Sequence, residues 1–332
     1  MDEDKCLSFR FMTEKVVGHG EDALPLLVQK EKAFAAGVFD GMGGAGAAIC
    51  KSGFGDGYSK AYVASRIIRD EVCSYIDTHL GKDLITKEQL KSIIYDRLMN
   101  EVGKYATKEK AILRSKLVRD YPTTMALITL EKGSDNWLVN SFWAGDSHCY
   151  LWTCRGFFQL SKDDLEEGND PMENLHNDSP ISNCICADRD FYINHLSLQI
   201  DDMPAIIISA TDGCFGYYPS PMHFENMLKE SLQEAKDIDN WEALIEQRVQ
   251  QVTGDDSSLA LIAVGFSSFE DIKRFATKDV NAVKDILKAE RNLKEAQQLV
   301  EMYAEVHKQS LSSGWEKYKR EYMKYINDPN YA

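Results

Sequence analysis

Ala33-Phe-Ala-Ala-Gly-Val-Phe-Asp40-Gly-Met-Gly-Gly44 is the stretch on which the fold turns. Apolar from Ala33 to Phe39 and bounded by turn residues, it reads as a buried strand ending at Asp40. The glycine-rich segment that follows reads as loop through Gly57. Asp40 therefore sits where a strand stops and a turn begins. Four other short acidic motifs share this character: Glu21-Asp22, Gly145-Asp146-Ser147, Thr211-Asp212-Gly213 and Gly254-Asp255-Asp256-Ser257-Ser258. Taken singly, an Asp-Gly after a strand is a turn, with Asp accepting backbone hydrogen bonds and Gly supplying positive φ. Five in one chain suggest that carboxylates converge. Converging carboxylates repel one another unless they are protonated or bind cations, and Mg²⁺ or Mn²⁺ suits all-oxygen ligands.

Outward from this stretch, Phe9 to Val17 is strand-like. Ser59 to His79 and Thr86 to Val118 show helical spacing, through Val63, Ile67, Val72 and Ile76 and through Leu90, Ile94, Leu98 and Val102. After Pro122 the pattern changes to strands at 124–130, 137–144, 148–153 and 156–160. Residues 163–187 form a long polar insert of the kind that serves as a functional flap. Strands return at 191–198 and 205–209, helices follow at about 221–235 and 239–252, and a last strand spans 259–266. Helices and strands in segregated runs predict an α+β architecture in layers, in contrast to alternating βαβ units.

The 332 residues can bury a sizeable core. A net charge of −15, with no basic run interleaved with aromatics, argues against a nucleic-acid partner. No apolar run approaches the ~20 residues of a membrane span. The first residues, Met-Asp-Glu-Asp-Lys, lack the basic and apolar regions of a secretory signal, so a cytoplasmic location is expected. Of the eight cysteines, Cys50, Cys73, Cys149, Cys154 and Cys214 read as small core residues, and Cys184-x-Cys186 has no second pair with which to build a structural zinc site.

In order and spacing these motifs resemble the metal-dependent Ser/Thr protein phosphatases of the 2C family, bacterial members especially. Asp40-Gly-Met-Gly-Gly resembles the family signature and Glu21-Asp22-Ala23 its upstream Glu-Asp. Pro122-Thr-Thr-Met-Ala is similar to its Gly-Thr-Thr-Ala strand, Gly145-Asp-Ser to Gly-Asp-Ser-Arg, Thr211-Asp-Gly to Ser-Asp-Gly, and Asp255-Asp-Ser-Ser to Asp-Asn-x-Thr. The resemblance spans about residues 8–268. It implies an αββα sandwich: two central antiparallel sheets, a helix pair on each outer face, and here a C-terminal helical extension. The expected division is a catalytic domain at 1–268 and an extension at 269–332. The resemblance further implies a binuclear Mg²⁺ or Mn²⁺ site, with a weaker third ion, that hydrolyses phosphoserine and phosphothreonine in a phosphoprotein substrate, a target of a Ser/Thr kinase. Asp40 would bridge the metals, with the carbonyl of Gly41 on one of them. Asp212 and Asp255 would complete the first site and Glu21 would hold the second. Asp22 would orient waters, and Asp146 with Asp212 would form the third. Asp40, Asp212 and Asp255 are thus the expected catalytic residues.

Departures from the family pattern also count. Where many members carry a phosphate-gripping Arg, this chain has Val17. Strand alternation would put Lys15, Val17 and His19 on one face, leaving Lys15 or His19 as the phosphate contact, with a weaker grip than the fork of Arg. His148 replaces the Arg after Gly-Asp-Ser and reads as a satisfied residue at a strand start. Asp163-Asp164 stands where the family has Asp-His, and the acid that protonates the leaving group has no assigned residue.

Three rival readings compete. Gly41-Met-Gly-Gly-Ala-Gly46 fits a dinucleotide-binding glycine pattern, but Asp40 would then repel the pyrophosphate. Gly145-Asp-Ser147 suggests an esterase nucleophile, but the late Asp-x-x-His of those enzymes is missing. The third is the same fold kept as a catalytically weak regulatory or binding module acting through its C-terminal helices. There, Ile286, Ala289, Leu293, Ala296, Val300 and Tyr303 form an apolar stripe that either packs on the domain or docks a protein partner.

Overall fold

Two five-stranded antiparallel sheets lie at the centre of the molecule, a computed structural model that describes residues 6–50, 57–105, 118–167, 170–176, 179–201, 203–276 and 281–326. One sheet has the order β1-β10-β9-β6-β7, formed by Cys6–Thr13, Ser257–Val264, Ala205–Ala210, His148–Thr153 and Gly156–Gln159. The other has the order β2-β3-β4-β5-β8, formed by Leu26–Gln29, Ala33–Val38, Met125–Lys132, Trp137–Ala144 and Asn194–Ile200. The longer helices are α2 (Lys60–His79) and α3 (Lys87–Tyr105), then α6 (Pro221–Glu234) and α7 (Ile238–Val252). Short helical turns α1 (Gly43–Gly46), α4 (Pro171–Asn174) and α5 (Asp212–Phe215) punctuate the loops, and α8 (Phe269–Phe275) and α9 (Asn281–Tyr322) come last.

The inner strands are apolar on both faces because each sheet is covered twice. In β3, Phe34, Ala36 and Val38 point between the sheets, where they meet Ile128, Ile207 and Ile262. Alternate residues Ala33 and Ala35 join the layer of α2 and α3, with Ile67, Ile68, Leu90 and Ile94. In β10, Ala260, Ile262 and Val264 face the other sheet, while Leu259, Leu261 and Ala263 meet Trp241, Ile245 and Leu228 of α6 and α7. Period-two alternation thus feeds two apolar layers from one strand, giving the expected αββα sandwich.

Side-chain caps fix the starts of two of these helices. Ser59 caps α2 by accepting the Tyr62 N–H at 3.0 Å, and Asp237 caps α7 by accepting that of Asn240 at 2.8 Å.

Several expectations need correction. The first strand ends at Thr13, and residues 15–18 turn, so Lys15, Val17 and His19 do not share a strand face. The turn closes with His19 N–H donating to the Val16 carbonyl at 2.9 Å, which strand geometry cannot accommodate. The helix expected over 86–118 is described from Lys87 to Tyr105; residues 106–117 lie outside the described residues, and Val118 is not helical. Edge strand β2, only four residues long, has no counterpart among the expected strands. Cys154 is exposed, because it sits in the turn between β6 and β7.

The chain divides into two compact units, residues 1–277 and 278–332. The first extends past the boundary expected at 268 because Ile272 and Ala276, in and just after α8, are buried in the core of α6 and α7. Among the described residues no helix is long and apolar enough to cross a membrane.

Trp241 anchors the second helix layer. It is fully buried, meets Phe9 edge-on at a centroid distance of 5.4 Å, and donates Nε1–H to the Leu228 carbonyl at 3.3 Å. Trp241→Ala is predicted to destabilise the first unit by about 3–5 kcal/mol, from lost burial and the cavity left behind. A shift in the urea midpoint corresponding to under ~1 kcal/mol would contradict this packing.

Candidate metal centre

Strand register gathers the acidic motifs at one end of the sandwich. In the first sheet, Thr13 pairs with Ser257, Leu259 with Ala210, and Ala210 with His148; in the second, Val38 pairs with Ala126 and Met125 with Ala144. The ends of β1, β3, β5 and β9 and the starts of β6 and β10 therefore lie side by side. Each acidic residue is one or a few positions beyond such a terminus.

Asp40, Asp146 and Asp212 come together: one carboxylate oxygen from each lies within 4.8 Å of the others. Backbone contacts hold the set. Asp40's carbonyl accepts Thr124 N–H at 2.8 Å and Thr123 Oγ1–H at 2.6 Å, which ties the β3 end to the start of β4. Thr124 Oγ1 meets Ser147 Oγ at 2.7 Å, joining that strand to the Asp146 turn. Gly145 has φ +100°, and a Cβ there would also strike Thr124 at 2.7 Å, so the turn that presents Asp146 requires glycine. Gly213 is needed for a different reason: its Cβ would lie 1.8 Å from the Asp256 carbonyl.

The electrostatics are strained. Burial, then the charges of Asp22, Asp212 and Asp146, push the Asp40 carboxyl well above the usual range. Burial and then Asp212 and Asp163 do the same to Asp146. Asp212 is raised by burial and by Asp255. Asp22 rises to about 7, mainly through burial, although bonds from Ser258 and Asp40 oppose the shift. Its Oδ2 also accepts Thr211 Oγ1–H at 3.0 Å. Four neighbouring acidic groups that resist ionisation are an arrangement that positive charge would stabilise.

One atom tests whether a cation fits. Asp146 Oδ1 is buried without a hydrogen-bond partner, and such a group is costly unless something binds it. With all-oxygen donors around it, a hard divalent cation suits the set.

The other expected residues fall into distinct places. Glu21 accepts from Ser59 Oγ, the α2 cap, and its carboxylate lies against Gly43 of the signature loop. It is outside the close trio but within electrostatic reach of Asp255. Asp255 is exposed, also outside the trio, and repels Asp212. Gly41 forms an isolated antiparallel bridge with Thr123. Lys15 and His19 are exposed in the β1–β2 loop, where the Lys15 backbone N–H reaches Asp256 at 2.8 Å.

Residues that sequence reading undervalued hold this frame. Asp256 accepts the N–H groups of both Lys15 and Glu21, the latter at 2.6 Å, and so closes the loop that carries Glu21. Asp164 accepts from Gly145 N–H at 3.1 Å, Asn183 at 2.7 Å and Asn194 at 2.9 Å, pinning the 163–187 insert to the Asp146 turn. Ser147 is buried against Thr124 and is no nucleophile. A cluster of acidic and amide residues around the insert was the available signal.

His148 opens β6 as a satisfied residue. Its Nε2 meets Asp163 at 2.5 Å, its Nδ1 meets Tyr150 Oη at 2.7 Å, and its ring stacks on Phe215 at 3.9 Å. Burial raises the Asp163 carboxyl, but the bond and charge of His148 outweigh it, and the net direction is down. A cleft of about 320 Å³ opens beside these groups, lined by Asp146, His148 and Asp212 on the sheet side and by Asn174 and His176 of the insert.

A pH dependence follows for the protein kept free of divalent metal. Raised carboxyl groups bind more protons folded than unfolded, so their contribution is intact below the unfolded value of 3.8. For Asp22 it is lost as pH rises through about 7. Thermal scans in EDTA are predicted to show Tm falling across that window, and added Mn²⁺ to restore it at neutral pH. A metal-free Tm that is flat or rises between those limits would count against a carboxylate cluster.

The Protein phosphatase 2C family model matches residues 18–264. Among solved structures, the chain is similar to the serine/threonine phosphatase PstP/Ppp of Mycobacterium tuberculosis, at 14% identity and TM-score 0.53, covering 79% of this chain and 99% of that one. The PstP catalytic domain in complex with two manganese ions is similar at 15% identity and TM-score 0.51, with 79% and 99% covered. A sex-determining protein of C. elegans is similar at 12% identity and TM-score 0.57, with 84% and 68% covered. No curated protein sequence matches the chain. At these identities the structural likeness speaks for the fold, whereas the sequence match covers well over half of the chain. The chain belongs to the protein phosphatase 2C family, and its class of chemistry is the hydrolysis of phosphate esters.

Proposed function

We propose that this protein is a divalent-metal-dependent phosphatase that removes phosphate from phosphoserine and phosphothreonine in a protein substrate, a Ser/Thr kinase target. The observation that carries this reading is the half-buried trio Asp40, Asp146 and Asp212, with Asp146 Oδ1 left without a partner. The structure of PstP with two manganese ions makes two ions the natural number here, Mg²⁺ or Mn²⁺. Divalent cations at such a site acidify water and screen the charge of a phosphoryl group.

Each of the chain's residues has a task in this scheme. Asp40, a neighbour of Asp146 and Asp212 and bonded to Asp22, would be shared between the ions. Asp146 and Asp212 would hold an ion together with Asp40, and the exposed Asp255, whose charge is felt by Asp212, would join them. Glu21, held by Ser59 and by the Asp256 clamp, would hold the second ion, and the Gly41 carbonyl would bind one of the two. Asp22 is behind Asp40 and orients it from a fully buried position. The buried, bonded Ser147 hydroxyl leaves attack to water. The insert walls the cleft beside the trio and limits solvent access to it. Residence in the cytoplasm accords with this reading.

Phosphate grip is expected to be weak. Val17 is 89% exposed in a turn. Nearby Arg66 is committed to the carbonyls of Gly20 and Glu21 and stacks on Tyr62 at 3.4 Å.

Asp40→Asn and Asp212→Asn are each predicted to lower Mn²⁺-dependent turnover of a phosphothreonine peptide by at least ~100-fold, with far-UV circular dichroism unchanged, and EDTA to abolish turnover of the parent protein. Turnover that survives EDTA, or near-parental rates in either variant, would refute the assignment. If Mn²⁺ binds but no phosphoester is turned over, the protein is a regulatory module on this fold.

Asp256→Ala is predicted to weaken apparent Mn²⁺ affinity by roughly 10–100-fold by releasing the loop that presents Glu21. Isothermal titration measures it; an unchanged affinity would remove Asp256 from the support of the site.

A further inference from the structure

Helix α9 runs without interruption through 42 residues, and every residue from Ala289 to Tyr322 is exposed. A helix of this length with large apolar side chains in solvent is unusual for a chain acting alone. Leu293, Val300, Leu311, Trp315, Tyr318 and Tyr322 are between 44% and 68% exposed.

The stripe has an internal order. It passes through Ala289, Leu293, Ala296, Val300, Ala304, His307, Leu311, Trp315, Tyr318 and Tyr322. The steps along it are 4-3-4-4-3-4-4-3-4, an eleven-residue repeat that keeps one face on one side of a nearly straight helix. These steps are the same read backwards. A stripe with that property superimposes on itself when a second copy runs in the opposite direction. The centre of symmetry falls between Glu305 and Val306.

We propose that α9 pairs with α9 of a second copy of this chain, antiparallel, about a twofold axis at that centre. Three independent features fit this arrangement. In size, the small Ala289 and Ala296 fall opposite Tyr322 and Trp315, Leu293 opposite Tyr318, and Val300 opposite Leu311, so bulk meets space as dense packing requires. In charge, the residues that flank the stripe on one side oppose with unlike sign, Glu290 with Lys319 and Glu301 with Lys308, each pair occurring twice by symmetry. A parallel pair would instead stack Trp315 on Trp315 and Ala296 on Ala296. In extent, six large side chains at roughly 100 Å² of newly covered surface each amount to roughly 1,200 Å² for the pair, the lower bound of a stable interface. The helix is almost electrically balanced, with eight Lys and Arg against seven Asp and Glu, so it can self-associate although the whole chain carries −15.

Analytical ultracentrifugation of the full chain across micromolar concentrations tests this. A species of twice 37.6 kDa is expected. Glu301→Lys, on the surface and neutral for folding, sets Lys against Lys308 at both symmetry-related places and should weaken the dimer roughly tenfold. The double variant Glu301→Lys/Lys308→Glu should restore it. Ala296→Trp should weaken dimerisation by roughly a hundredfold or more by colliding with Trp315, and adding Trp315→Ala should recover it. A strictly monomeric chain would overturn the proposal. So would a dimer that ignores Glu301→Lys, or one that neither double variant rescues, since a parallel pair or another surface would then be responsible.

Discussion

Mutual repulsion among clustered, partly buried carboxylates is the constraint around which the first unit is organised. Asp22, Asp40, Asp146 and Asp212 are all held in a pocket that favours their neutral forms. A fold tolerates such a pocket only if its frame is stiff and if something binds there. The frame is the pair of sheets, whose apolar layers on three levels fix the strand ends. The binding partner indicated by an orphaned carboxylate oxygen is a hard cation.

Around this pocket the hydrogen bonds are spent on loops. Asp256 closes the β1–β2 loop, Thr123 and Thr124 fasten the Asp40 turn, and Asp164 fastens the insert. None of these side chains belongs to the close trio, yet each fastens a loop that carries one of the clustered acidic residues. Positioning by charge-assisted bonds to backbone N–H groups suits a metal site, since ligand geometry must be held to fractions of an ångström.

Most of the architecture was legible. Strands 137–144 and 148–153 and the helices near 221 and 239 have the expected bounds, because alternation and helical spacing there are backed by caps and turn residues. Errors occurred where local pattern was overridden or too short. Lys15, Val17 and His19 look strand-like, but Asp256, distant in sequence, pulls the backbone into a turn. Edge strand β2 is four residues long and carries no alternation that would distinguish it from a loop.

The sequence by itself determined the layers and the identity of the acidic residues, since both depend on side-chain type and on spacing along one chain. It also determined that α9 carries an apolar stripe, because a straight helix converts spacing directly into a face. Only the tertiary structure decided which carboxylates are close neighbours. Asp146 joins Asp40 and Asp212 while Asp255 and Glu21 stand off, because strand register and loop closure, set by contacts hundreds of residues apart, fix distances that no local pattern encodes.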